Sequence, residues 1–141
     1  MLLMDSFFDK DEFDRRFNES LYTFESALHD KELKFYNWAC FKFQQAGENA
    51  LKAILKAFGK SALGHSLLKL LDELEALGIP ISYDLKSYAR TLDMNYISTR
   101  CPDAYPEGSP HEFFDESSVN MAEEASRKII EFIKTFKDKN V

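Results

Sequence analysis

From residue 13 to residue 136 the large apolar side chains recur at intervals of three and four, and no stretch shows the alternation of a half-buried strand. That period places them on one face of an α-helix, so this chain is confined to helices that bury their apolar faces against one another. The first stretch, residues 6–28, carries Phe13, Phe17, Leu21, Phe24 and Leu28. The second, residues 33–58, is longer and more apolar. Ala39, Phe43, Ala46, Ala50, Ala53, Ile54 and Ala57 make its inner face, and Gly59 supplies a left-handed stop. Lys42, Gln45, Glu48, Asn49, Lys52 and Lys56 form an opposite stripe expected to face outward. Trp38 and Phe41 share that stripe, and outward aromatics of this size point to a contact surface.

Three further helices follow. Ser66 is the expected N-cap of a helix with Leu67, Leu68, Leu71, Leu74 and Leu77 on its apolar side, ended by Gly78-Ile79-Pro80. Residues 83–97 place Leu85, Tyr88, Ala89, Leu92 and Tyr96 on one side. The last helix starts at Asp115, with Phe114 and Val119 at hydrophobic-staple spacing, and continues through Ala122, Ala125, Ile129, Phe132, Ile133 and Phe136. The prediction is an all-α, up-and-down bundle of about five helices. It is a single domain over 1–141, with its core at about 10–136.

Composition narrows function by exclusion. The net charge of −6 argues against a general nucleic-acid coat protein. The charge is uneven, because residues 33–60 hold five basic groups and one acidic group. A small anionic ligand, or an RNA contact confined to one cleft, fits that local excess. Two cysteines, Cys40 and Cys101, make neither a disulfide framework nor a metal cluster. No apolar run is long enough to span a membrane, and the start "MLLMDSFFDKDEF" lacks a basic leader, so a cytoplasmic location is expected. Phosphate-loop, dinucleotide, zinc and nucleophile-elbow motifs are all missing, and no cofactor is expected.

The ionisable candidates gather around "ISTRCPDAYPEGSPHEFF" (97–114), which contains Pro102, Pro106 and Pro110. Arg100 can grip a phosphate or carboxylate with two parallel hydrogen bonds, or cap the end of its own helix. Asp93, Tyr96 and Arg100 share one face of that helix end, so Asp93 is placed to pair with Arg100 or with a lysine of the basic helix. Pro102 fixes the backbone after Cys101 and is expected to hold Asp103 and Tyr105 beside Arg100. His111 is a proton-transfer candidate or a surface loop residue. His65, between Gly64 and Ser66, either stabilises its turn or joins an anion site. His29 lies at the end of the first helix, where a cation meets the helix dipole.

Three pieces carry a family resemblance: "YNWACFKFQQAGENALKAILKAFG" (36–59), "GHSLLKLLDEL" (64–74) and "LDMNYISTRCPDAYPEG" (92–108). Together they resemble the HEPN family, in particular its small stand-alone archaeal and bacterial members, over about residues 10–136. The resemblance implies a five-helix bundle that commonly forms a homodimer and often accompanies a minimal nucleotidyltransferase protein in a toxin–antitoxin pair. Some members are metal-independent RNases that use an Arg followed closely by a His; others look like non-catalytic nucleotide- or substrate-binding subunits. Arg100 matches the arginine by position, but the next histidine is His111, with ten residues between. The match for binding is better, because Lys52, His65, Tyr96, Arg100 and Asp103 lie in the similar runs. The expected function is therefore a binding subunit for a nucleotide or a partner nucleotidyltransferase. The alternatives are an RNase toxin acting through Arg100 and His111, or a non-catalytic dimeric interaction protein built on Trp38, Phe41 and the loop.

Overall fold

Asp9 opens the first helix by accepting the Glu12 amide hydrogen bond at 3.0 Å, so α1 runs Lys10–Glu32 in the computed structural model, which describes residues 7–141. The expected start at residue 6 lies outside the described residues, and the helix begins four positions later and extends past 28. Phe13 and Phe17 are buried, but Leu21 is exposed, contrary to the expected face. The buried side instead takes in Ser20, whose hydroxyl donates to the Ala46 carbonyl at 2.6 Å, and Ala27.

The chain then turns through Leu33–Phe35, and α2, Tyr36–Ala57, starts later than the expected residue 33. Lys34 causes the break: it sits in the left-handed region at φ 66°, the conformation that ends a helix. α2 is the central element and packs against α1, α3, α4 and α6. Its expected outer stripe is therefore partly covered. Lys42 reaches Asp30 of α1 at 2.7 Å, and Glu48 is only 4% exposed. Gly47 marks the closest approach, since a Cβ there would lie 2.8 Å from Leu67 Cδ2 and 3.1 Å from Leu92 Cδ1.

α3, Leu67–Ala76, is capped by Ser66, and α4, Tyr83–Asp93, by Ser82. The helix expected over 83–97 is interrupted at Met94, after which a single turn, α5 (Asn95–Ser98), continues it. Pro102–Ala104 and Pro110–Phe113 form two 3-10 turns. α6, Glu116–Asn140, starts at an Asp115–Ser118 capping box and returns along α2 and α4. The amide and hydroxyl of Ser118 hold the Asp115 carboxyl below its ordinary range. Apolar side chains from α1, α2, α3, α4 and α6 meet in one core that includes Phe43, Leu51, Ile54, Leu71, Leu92, Val119 and Ile129. The architecture is the all-α, five-helix bundle that the periodicity requires. Among the described residues no helix is long and apolar enough to cross a membrane.

Candidate functional site

The break at Met94 turns α5 across the start of α2. Buried Asn37 fixes this crossing by donating from Nδ2 to the Thr99 carbonyl at 3.0 Å. Arg100 follows immediately. Its Nε and Nη2 donate to the Tyr96 carbonyl at 3.1 and 2.7 Å, which is the helix-capping role. The same guanidinium lies over two aromatic rings, 4.1 Å from the Phe41 centroid and 4.9 Å from that of Tyr96. Two rings and a carbonyl thus fix a long side chain that remains exposed, with Nη1 unbonded among the described residues.

Arg100 lines a cleft of about 550 Å³ at the α1–α2 turn. Lys34 and His111 also line it, as do Phe35, Tyr36 and Trp38. No carboxylate lines the cleft, and neither Arg100 nor Lys34 takes part in an ion pair among the described residues. Such a surface offers fixed positive charge beside aromatic faces. It suits an anion that also carries a planar group.

The other predicted residues fall elsewhere. Asp93 pairs neither with Arg100 nor with a lysine. Its Oδ1 accepts the Leu67 amide at 2.6 Å, and its Oδ2 accepts the Ser66 hydroxyl at 2.8 Å and the Leu68 amide at 3.2 Å. It therefore occupies the amide-rich start of α3, which leaves no open anion site there. Lys52 and His65 meet on buried Glu48, at 3.1 Å and 3.2 Å, and neither lines the cleft. Tyr96 joins the two regions: its ring stacks on His65, with centroids 4.3 Å apart and planes 15° apart. Asp103 is exposed on its 3-10 turn and is not ion-paired with Arg100. Tyr105 is not among the groups that hold Arg100: its hydroxyl donates to the Ser98 carbonyl at 2.9 Å and its ring stacks on Phe113 at 4.0 Å, while the guanidinium is held by Tyr96 and Phe41. His29 faces Glu32 at 3.8 Å on the surface.

The HEPN domain family matches residues 13–139. The chain belongs to the HEPN family. Solved structures agree. It is similar to TT1696 from Thermus thermophilus, at 34% identity and a TM-score of 0.84 over 87% of this chain and 96% of that one. It is also similar to ST0689, an archaeal HEPN homologue, at 28% identity and a TM-score of 0.74 over 87% and 95% of the two chains. A HEPN domain protein from Thermotoga maritima matches at 33% identity and a TM-score of 0.71, over 88% and 98%. Among curated proteins no match is found.

Within this HEPN chain the sequence reasoning missed Lys34, Phe35, Tyr36 and Asn37. A three-residue interruption between two helices, Leu33–Phe35, gives no periodic signal. The informative residue is Lys34, which among the described residues is the non-glycine residue with positive φ and which lines the same cleft as Pro110 of the proline-rich segment. Arg100 and His111, separated by ten residues in sequence, line the same cleft because the intervening chain folds back through two 3-10 turns.

Proposed function

We propose that this HEPN protein is a binding subunit whose α2 cleft takes a nucleotide, with its phosphates at Lys34 and Arg100 and its base against Trp38 or Phe35. The observation that carries this reading is the composition of one cleft: among the described residues, two unpaired cations, an imidazole and three aromatics, with no carboxylate. Arg100 is already oriented, so little side-chain freedom is lost when a phosphate arrives. Tyr96 belongs to the site as the support of Arg100. Lys52, His65 and Asp103 do not line the cleft. The family resemblance supports a homodimer and a minimal nucleotidyltransferase partner in a toxin–antitoxin pair. Titration calorimetry with ATP, alone and with a co-purified nucleotidyltransferase, tests the proposal. Binding by the wild type that is lost in Arg100→Ala is expected; no heat with either preparation overturns the nucleotide assignment.

A second reading, metal-independent RNA cleavage, draws support from the shared cleft of Arg100 and His111. There Arg100 would stabilise the charged transition state while His111 moves a proton. Cleavage of single-stranded RNA in the presence of a chelator, abolished in both Arg100→Ala and His111→Ala, would replace the binding-only reading.

A further inference from the structure

A carboxylate without solvent is costly unless it is paired and hydrogen-bonded, so a buried one on a helix otherwise lined with alanine calls for an explanation. Glu48 is such a group, 4% exposed in the middle of α2. Its partners account for the charge: Lys52 Nζ at 3.1 Å and Gln44 Nε2 at 3.2 Å. They do not account for His65, which is brought in from the loop before α3. The His65 ring turns Nδ1 toward both Glu48 oxygens, at 3.2 and 3.4 Å, and Gln44 holds the His65 carbonyl at 3.0 Å. An imidazole fixed at its backbone and at one ring nitrogen has a defined plane.

That plane is what the next residue uses. Tyr96 lies nearly parallel to His65, at 15° and 4.3 Å. The Tyr96 carbonyl and ring are in turn two of the three features that hold Arg100. A continuous series therefore runs from a buried carboxylate through an imidazole and a phenol ring to the guanidinium at the cleft. We propose that Glu48 and His65 are positioning residues: they set the Tyr96 ring and, through it, the orientation in which Arg100 meets a phosphate. This proposal rests on the cleft being a nucleotide site, but the coupling itself exists without ligand.

The test reads Arg100 directly. In the ligand-free protein its Nε–H resonance, assigned by its loss in Arg100→Lys, should be dispersed and slow to exchange. His65→Ala removes the ring, and Glu48→Met removes the acceptor at similar volume. Both should move that resonance to the position of free arginines. Glu48→Gln keeps an acceptor and should retain it, whereas His65→Phe keeps a stacking ring without the Nδ1 contact that sets its plane and should move it, with thermal unfolding confirming that all four are folded. ATP affinity should fall about tenfold in the three variants that move it and stay unchanged in Glu48→Gln. An unmoved resonance in His65→Ala and Glu48→Met overturns the proposal. So does lost affinity with an unmoved resonance, because His65 would then touch the ligand itself. Resonances that follow this pattern in a protein that binds no ATP support the coupling and sink the nucleotide reading instead.

Discussion

The guanidinium of Arg100 lies 4.1 Å from the ring centroid of Phe41, so a side chain of the central helix holds a residue that is distant in sequence. A cation over an aromatic face at an exposed site contributes about 0.5–1 kcal/mol. Phe41→Leu keeps an apolar side chain and removes the π face. It should weaken ATP binding about threefold in calorimetry and leave unfolding nearly unchanged. Arg100→Lys keeps the charge and loses the fork that bonds the Tyr96 carbonyl, so about a tenfold loss is expected. Equal affinity for Phe41→Leu and wild type would show that the ring does not hold the working orientation.

Asp93 closes the start of α3 from the end of α4, through two amides and the Ser66 hydroxyl. Removing an acceptor from a helix start leaves those donors unpaired. Asp93→Ala should lower the unfolding free energy by about 2 kcal/mol in urea denaturation. Asp93→Asn, which keeps one good acceptor, should lose roughly half of that. If both variants unfold like wild type, water satisfies α3 as well as Asp93 does.

Glu123 predicts an acid dependence. Burial pushes its carboxyl up, but Lys31 and Arg127, each at 2.6 Å, outweigh burial and hold it below the usual glutamate range. The folded protein therefore binds this proton less tightly than the unfolded chain. The resulting stability is fully present above the ordinary glutamate range and is lost as pH falls through the lowered value. Glu123→Gln should cost about 1 kcal/mol near neutral pH, and the difference should shrink and vanish as acid protonates the carboxyl through its lowered range. A gap that persists undiminished in acid would mean that packing, not charge, accounts for it.

The two cysteines should separate cleanly. Cys40 is fully buried, and burial, assisted by the charge of Asp115, pushes its thiol up to about 12. Cys101 is partly exposed at the end of α5. Iodoacetamide at mildly alkaline pH should modify Cys101 in the native protein, and Cys40 only after denaturant is added. Labelling of Cys40 without unfolding would show that the α2 core opens locally.

Much of the fold was legible because helix faces repeat. Phe13, Phe43, Leu71 and Ile129 could be placed in the core from spacing alone, and Ser66 and Asp115 announce their helices by side-chain chemistry. Leu21 went astray because α1 turns its small residues, Ser20 and Ala27, inward against α2. Glu48 went astray because a charge pattern shows only that a residue is polar. It does not show that a distant loop will cover it with His65. The site was half legible. Arg100 could be singled out by type and by its place before Pro102. Trp38 could be picked out as an outward aromatic, but the wall of Lys34 to Asn37 could not, since that wall depends on one left-handed lysine and on how α5 crosses α2.

The wall that carries Arg100 and His111 has another property. Between Met94 and Phe114 only Thr99 and Pro110 are buried. The segment is tied to the bundle by Asn37 at the Thr99 carbonyl, by the Tyr96–His65 stack and by Arg100 over Phe41, and is braced internally by Tyr105 at the Ser98 carbonyl and on Phe113. The helices beneath it share a continuous core that does not depend on these contacts. Amide hydrogens of this stretch should therefore exchange with solvent water long before those of α2, through an opening that leaves the bundle intact. One side of the cleft can thus be unmade and remade at a fraction of the cost of unfolding the protein.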